Sequence, residues 1–153
     1  MCLTDIVANC LTNIKKKQNF LTIGITGNIS SGKSTFAKFL KKELNQAFPQ
    51  EKIIIISTYD FLYNNTFLTQ HNIFDNKGWI NTYDSQKINK FCSELTQQNQ
   101  TSLKGKYNQL IGDVNQTTYI INNPTILIIE GTMALTPLFE DYIDISLFLD
   151  VDL

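Results

Sequence analysis

Two glycines, a lysine and a serine in the segment GNISSGKS have the spacing of a phosphate-binding loop. Gly27, Gly32, Lys33 and Ser34 satisfy the pattern G-x-x-x-x-G-K-[ST]. The glycines permit backbone angles that turn successive N–H groups inward, which creates a concave site for phosphate oxygens. The lysine ammonium can reach the outer phosphates of a nucleotide, and the serine hydroxyl is a ligand for Mg²⁺. The segment therefore predicts binding of nucleotide phosphates together with magnesium.

The predicted cofactor-binding segment extends into the helix that follows the loop. A helix beginning near Lys33 would direct the positive end of its dipole at the phosphates. The segment consists of Gly27, Asn28, Ile29, Ser30, Ser31, Gly32, Lys33, Ser34 and Thr35.

Acidic residues stand at the ends of other apolar runs, where they would complete such a site. Glu130 closes the run ILIIE, and a carboxylate there would hold the hydrated magnesium together with Ser34. Asp150 and Asp152 close a later run and are weaker candidates for this role. Asp60 is the only carboxylate in STYDF and would orient an acceptor hydroxyl and take its proton. The alternatives are a solvated strand end for Glu130 and loop capping for Asp60.

Four apolar runs predict the strands that position these residues. They are FLTIGIT (20–26), KIIIIST (52–58), TILIIE (125–130) and DISLFLDV (144–151). The second run is apolar throughout, which predicts a strand that is central or buried on both faces. Segments with helical spacing of apolar residues alternate with the runs, and this alternation implies parallel crossovers and a three-layer α/β sheet. Parallel strands end at one edge, so Thr26, Asp60 and Glu130 should surround one crevice.

The segments between these elements are predicted to be loops. The aromatic-rich stretch 59–84 is long for a connection, and a short helix is predicted to start near residue 64. A further helix is predicted to begin with Ser85 as its cap and to fade into the run TQQNQTS (96–102), which is predicted to be a loop. The chain is predicted to form one domain, with an amphipathic helix in 1–19 and a nucleotide-binding core in 20–153.

Composition and charge argue against several classes of protein. Of the 153 residues, 42% are hydrophobic and 18% charged, which is typical of a globular chain. The net charge of −1 predicts no nucleic-acid partner. Cys2, Cys10 and Cys92 lack metal-type spacing and indicate a reducing compartment. No run of apolar residues is long enough to span a membrane and no leader pattern is present, so we expect a cytoplasmic protein without a membrane partner.

Six stretches occur in the order and spacing of a known family. They are GITGNISSGKST, STYDFLYNN, KGWINTYDSQKINKFCSEL, YNQLIGDV, ILIIEG and DISLFLDV. With them, residues 20–152 resemble bacterial type I pantothenate kinases, within the P-loop small-molecule kinases that include uridine kinase and phosphoribulokinase. The resemblance implies the P-loop NTPase fold without its usual C-terminal part. It also implies phosphorylation of pantothenate by ATP with Mg²⁺, the entry step of coenzyme A synthesis.

The resemblance also implies an acceptor pocket. Tyr107 matches a family tyrosine that contacts the acceptor, and Gln109 and Tyr83 are predicted to bind substrate beside it. Gln109 stands where a histidine is usual, and Gly112 where a second tyrosine is usual. Trp79 is a further candidate for the pocket wall, and packing under the long loop is the alternative for it and for the two tyrosines.

Lys33 and Asp60 are the predicted catalytic residues, although the position of the carboxylate departs from the family. Tyr59 stands where the family usually has its catalytic aspartate, and Asp60 stands at a usual glycine. The family carries lid arginines in a later segment, because a transferring phosphoryl group needs positive charge around it. Here a partner chain or a homo-oligomer supplies that charge, another lysine substitutes for it, or catalysis is poor. The candidate lysines are Lys77, Lys104 and Lys106.

Three functional hypotheses follow from these observations. The first is an ATP-dependent kinase that phosphorylates pantothenate or a similar small molecule. The second is a nucleotide-binding protein or partner subunit without efficient catalysis, which Tyr59 and the altered YNQLIGDV segment favour. The third is a kinase for another small hydroxyl compound, such as a nucleoside or glycerate.

Overall fold

A computed structural model describes residues 2–17, 20–28 and 31–150 of the chain. The helices in these ranges are α1 (Leu3–Lys17), α2 (Lys33–Ala47), α3 (Asn65–Gln70) and α4 (Ser85–Gln98). The strands are β1 (Leu21–Gly27), β2 (Ile53–Ser57), β3 (Gln100–Lys104), β4 (Tyr107–Asn108), β5 (Asp113–Val114), β6 (Thr118–Asn122), β7 (Ile126–Glu130) and β8 (Ile145–Leu149). All four predicted apolar strands are therefore present, within about two residues of their expected ends.

Four of these strands form a parallel sheet in the order β2-β7-β1-β8. Each strand is joined to the next along the chain by a crossover that contains helices or loops, which confirms the predicted α/β architecture. β2 was expected to be central or buried on both faces, and this expectation was only partly correct. Among the described strands β2 pairs with β7 alone, and its residues Ile54 and Ile55 are only half-buried.

Successive residues of β7 separate the two halves of the hydrophobic core. Ile126 and Ile128 pack with buried side chains of α1 and α2 on one face of the sheet. Leu127 and Ile129 pack with buried side chains of α4 on the other face. Because neighbouring residues of a strand point to opposite faces, a continuous apolar run is buried only where both faces are covered. Helices on both sides of the sheet confirm the three predicted layers.

Side chains in the long aromatic-rich segment cap the helix that it contains, α3, and the helix that follows it, α4. Asn64 accepts a hydrogen bond from the backbone N–H of Phe67 at 2.8 Å, and α3 begins at the next residue, as predicted. Asp84 caps α4 by accepting from the N–H of Lys87, so Ser85 is the first helical residue and not the cap.

The run 96–102 is not the loop that its polarity predicted. α4 continues to Gln98, Asn99 adopts a left-handed φ of 53°, and β3 begins at Gln100. β3 pairs with β6 in antiparallel register, and its residues Thr101 and Leu103 are buried while their neighbours are exposed. The strand was missed because its one buried polar residue, Thr101, is satisfied by Glu94 at 2.6 Å, a contact that exists only in the folded chain.

A second antiparallel pair positions residues of the acceptor pocket predicted above. β4 and β5 are two residues long each and pair Tyr107 with Val114 and Asn108 with Asp113. Within the described part of the chain, no helix is both long and apolar enough to cross a membrane.

Candidate functional site

The loop between β1 and α2 has the backbone of an anion-binding site. Gly27 has a φ of +156°, and a Cβ there would lie 2.6 Å from the carbonyl oxygen of Leu149 and 2.8 Å from the hydroxyl of Ser31. Gly32 has a φ of 81°, in the left-handed region that favours glycine, and it precedes the first residue of α2. Because Gly32 has no side chain to cap the helix, the first N–H groups of α2 can bind an anion.

The side chain of Lys33, the first residue of α2, extends into this loop. Its Nζ donates to the carbonyl oxygen of Asn28 at 2.7 Å and to that of Gly27 at 3.2 Å. Burial lowers the pKa of Lys33, and the nearby negative charge of Glu130 opposes this shift. The ammonium group is thus held where the loop would receive phosphate. Two predicted members of the loop, Ile29 and Ser30, lie outside the described residues.

Ser34 and Glu130 form the pair that would bind magnesium. The Ser34 hydroxyl donates to Oε1 of Glu130 at 3.1 Å, which joins the start of α2 to the end of β7. Glu130 is only 7% exposed. Burial raises its pKa, whereas the hydrogen bond from Ser34 and the charge of Lys33 act in the opposite direction. Oxygen ligands of this kind suit a hard cation such as Mg²⁺, which keeps several waters and phosphate oxygens as its other ligands.

The weaker metal candidates do not join this pair. Asp150 is exposed beyond the end of β8, and Asp152 lies outside the described residues, as does Val151. In the ranges that the structure describes, there is no cluster of three or more His, Cys, Asp or Glu side chains that would hold a metal ion by itself.

A pocket of about 570 Å³ opens beside the Ser34–Glu130 pair, a volume in the range of small-molecule sites. Of the three residues predicted to share this crevice, Glu130 lines it, but Thr26 and Asp60 do not. The lining residues are Gly32, Lys33, Ser34, Thr35, Lys38, Ile55, Ser57, Tyr59, Tyr107, Gln109, Glu130 and Gly131.

Lys38 is a lining residue that the sequence analysis missed. It follows Ser34 by four positions on α2, so both side chains lie on the same face of the helix. The helical spacing was therefore a usable signal. The three lysines proposed to supply positive charge do not line the pocket. Lys77 donates to Asn65 at 2.8 Å, Lys106 lies 5.1 Å from the ring of Tyr119, and Lys104 is exposed.

The acceptor end of the pocket is lined by neutral side chains. Tyr59, Tyr107 and Gln109 line this part of the pocket, and binding of an acceptor by Tyr107 and Gln109 stays a prediction. The rings of Tyr59 and Tyr107 are 5.3 Å apart and inclined at 47°. Burial raises the pKa of Tyr59, so its phenol remains protonated and can donate a hydrogen bond. Tyr83, by contrast, is buried in the hydrophobic core, and Trp79 is 68% exposed; neither lines the pocket.

Asp60 is turned away from the pocket. It is 4% exposed, and its Oδ1 accepts from the backbone N–H of Tyr107 at 2.8 Å. Burial raises the pKa of Asp60, and the hydrogen bond from Tyr107 and the charges of Lys106 and Lys87 partly oppose the shift. Residues 58–61 form a 3₁₀ turn, which directs Tyr59 and Asp60 to different sides. The role of Asp60 as a catalytic base stays a prediction.

Several known kinases are similar to this chain. The model of the phosphoribulokinase/uridine kinase family matches residues 22–153. Pantothenate kinase of Enterococcus faecalis is 34% identical over 137 residues, which cover 85% of this chain and 45% of that protein. Pantothenate kinase of Vibrio cholerae is 31% identical over 141 residues, with the same coverage of 85% and 45%. The chain thus spans somewhat less than half the length of these relatives.

Solved structures share the fold at lower sequence identity. A proposed fructose transport system kinase from Silicibacter sp. superposes with a TM-score of 0.79 at 22% identity, covering 99% of this chain and 76% of that one. D-glycerate 3-kinase from Cryptococcus neoformans superposes with a TM-score of 0.64 at 17% identity, covering 85% and 51%. At these identities the likeness shows the fold alone.

Proposed function

This chain belongs to the phosphoribulokinase/uridine kinase family, and from that premise we propose that it transfers the γ-phosphoryl group of ATP to a hydroxyl group of a small molecule. The main support is the contact of Ser34 with Glu130 at 3.1 Å, at the mouth of a glycine-containing loop that encloses Lys33. These residues come from distant parts of the chain and meet in one pocket, which a chance match to a short pattern would not require.

The phosphate end of the pocket would hold ATP and magnesium. The N–H groups at the start of α2 and the ammonium of Lys33 would bind the phosphates, and Ser34 and Glu130 would bind the metal. When bound, Mg²⁺ would neutralise and orient phosphate oxygens. Lys38 adds a second positive charge along the same wall.

We propose pantothenate as the first acceptor to test. The relatives that cover 85% of this chain at 31–34% identity are named pantothenate kinases. Tyr107 and Gln109 line the acceptor end and offer a phenol and an amide to the hydroxyl and amide groups of such a molecule. Gln109 in place of the usual histidine makes a nucleoside or glycerate the alternative acceptor.

A direct assay of phosphoryl transfer tests this proposal. The purified chain is incubated with ATP, Mg²⁺ and either pantothenate, uridine or glycerate, and both ADP release and the phosphorylated product are measured. We expect product with pantothenate. Lys33→Met should lower turnover on the order of 10²- to 10³-fold, because it removes a positive charge at the phosphates. Lys42→Met is the matched control, since Lys42 is exposed on the same helix.

Calorimetry with ATP and Mg²⁺ separates the competing hypotheses. Binding of ATP without product for any of the three acceptors would contradict the kinase proposal and support a nucleotide-binding protein. Lack of ATP binding at millimolar concentration would contradict both. Full activity of the Lys33→Met variant would show that the phosphate site has been assigned to the wrong residues.

A further inference from the structure

The carboxylate of Asp60 is buried behind the acceptor pocket and bonded to a residue that lines it. Its Oδ1 accepts from the backbone N–H of Tyr107 at 2.8 Å, and the side chain of Tyr107 forms part of the pocket wall. We propose that Asp60 is a positioning residue that acts on the acceptor through Tyr107 and does not touch the acceptor itself. This inference rests on the proposed kinase function only in so far as it concerns the acceptor.

The backbone around Asp60 is fixed from the opposite side. Nζ of Lys87, in α4, donates to the backbone carbonyl oxygen of Asp60 at 2.6 Å. The N–H of Asp84 donates to the carbonyl oxygen of Phe61 at 2.8 Å. The 3₁₀ turn of residues 58–61 is therefore bound to the start of α4. The hydrogen bond from the N–H of Tyr107 to Asp60 in turn binds Tyr107 to this turn.

The segment that carries Tyr107 and Gln109 is the outer part of a hairpin that begins with β3 and β6. The N–H of Asn115 donates to the carbonyl oxygen of Lys106 at 2.9 Å, which joins that hairpin to the two-residue strands β4 and β5. A pair as short as β4 and β5 has few hydrogen bonds of its own, so contacts with other segments help to fix its position. At its far end, the N–H of Asn65 donates to Asp113 at 3.0 Å, and the amide of Asn65 donates to the carbonyl oxygen of Gly112 at 3.0 Å. Asp60 contacts the other end of this pair through Tyr107, so residues 60–65 bind β4 and β5 at both ends. These contacts add to the link with β3 and β6 and to the hydrogen bond from Lys77 to the carbonyl oxygen of Gly112.

The direction of the neighbouring side chain supports a positioning role. Tyr59 lines the pocket. Its backbone N–H donates to the hydroxyl oxygen of Ser57 at 3.2 Å, which helps to orient the turn. A proton taken from the acceptor would have to reach a carboxylate that is buried and does not line the pocket. A carboxyl group keeps an oxygen that can accept from the N–H of Tyr107 in either protonation state, so this contact does not depend on the ionisation of Asp60.

Three variants separate a positioning residue from a catalytic base. Asp60→Asn keeps an oxygen that accepts from Tyr107 but cannot take a proton, whereas Asp60→Ala loses both properties. Glu43→Ala, on the exposed face of α2, is the control for loss of an acidic group. Amide hydrogen exchange of residues 107–109 reports the position of the hairpin without any need for turnover, and steady-state kinetics reports the acceptor KM and kcat.

We expect Asp60→Asn to keep the exchange rate of the Tyr107 amide and the kcat within about threefold of the original chain. Asp60→Ala should speed that exchange by about tenfold or more and raise the acceptor KM by a similar factor, while the KM for ATP changes little. If Asp60→Ala does not fold, Asp60→Leu replaces it with the same expectation, because leucine fills a similar buried volume without an accepting oxygen.

Two results would overturn the proposal. Loss of kcat in Asp60→Asn, with the Tyr107 amide still protected, would identify Asp60 as the base. Unchanged exchange in Asp60→Ala would show that the hydrogen bond does not hold the hairpin. Because the exchange measurement needs no substrate, absence of kinase activity would contradict the proposed function without deciding the role of Asp60.

Discussion

The phosphate end of the pocket is built mainly from one continuous stretch of chain, whereas the acceptor end is assembled from two segments far apart in sequence. Gly27, Gly32, Lys33 and Ser34 lie within eight residues, and Glu130 joins them from β7. At the acceptor end, the ring of Tyr59 packs against the ring of Tyr107. The turn that carries Tyr59 is bound in addition by Lys87 of α4. The geometry of a continuous stretch depends less on distant residues than the geometry of an assembled surface does.

The two ends also differ in charge. Lys33, Lys38 and Glu130 surround the phosphate end, while the acceptor end presents the phenols of Tyr59 and Tyr107. Phosphates and magnesium require charged partners, whatever the acceptor is. The chemistry of the acceptor end depends on the molecule that binds there. Two of the departures noted in the sequence, Tyr59 and Gln109, line the acceptor end.

The first prediction concerns the phosphate end alone. Gly27→Ala should weaken ATP binding on the order of 10²-fold or more, because the new methyl group would displace the loop from the Leu149 carbonyl 2.6 Å away. Gly78→Ala is the matched control. Gly78 also has a positive φ, +100°, but a Cβ there meets no atom within 4 Å. Calorimetry with ATP and Mg²⁺ measures both variants, and equal affinity in Gly27→Ala would contradict the loop assignment.

The second prediction concerns the acceptor end. Tyr59→Asp would introduce a carboxylate at a position that lines the pocket, and we expect kcat to rise by about tenfold or more if proton transfer limits the reaction. Tyr59→Phe, which keeps the ring beside Tyr107, should stay within about threefold of the original chain. Steady-state rates of ADP release with pantothenate measure both variants. Equal or lower kcat in Tyr59→Asp would mean that the missing carboxylate does not limit turnover.

The third and smallest prediction concerns the charge of Glu130, which faces the phosphate end. Burial raises the pKa of Glu130 in the folded chain above the value of about 4.3 expected in the unfolded chain. The free energy of unfolding therefore falls as the pH rises from about 4.3 through the raised pKa, because the folded state disfavours the ionised carboxylate. Glu130→Gln should therefore be more stable than the original chain at neutral pH, and the advantage should vanish below that window. Each kcal/mol of change in the free energy of unfolding shifts the melting temperature by about 2–4 °C in a domain of this size.

Thermal melts of the two proteins across pH 3–8 test this prediction. The same variant should lose the gain in ATP affinity that Mg²⁺ provides, because an amide is a weaker ligand than a carboxylate. A lower melting temperature for Glu130→Gln at neutral pH would show that the ionised carboxylate stabilises the fold.

The parallel sheet was predictable from sequence, and the small antiparallel pairs were not. Runs such as ILIIE are apolar enough to require cover on both faces, so their burial follows from composition. β3 has polar residues at alternate positions, and only its pairing with β6 and the contact of Thr101 with Glu94 make it a strand. Hydrogen bonds between distant residues carry no signal in either segment alone.

Within the site, the residues of the glycine-containing loop specify their own role, because glycine backbone angles, the lysine length and the helix start are local properties. The direction of the Asp60 side chain, by contrast, is not a local property. Its direction follows from the 3₁₀ turn, from Lys87 in α4 and from the N–H of Tyr107, which is 47 residues away. Only the packed structure brings these groups together, and it places Tyr59 in the pocket with Asp60 behind it.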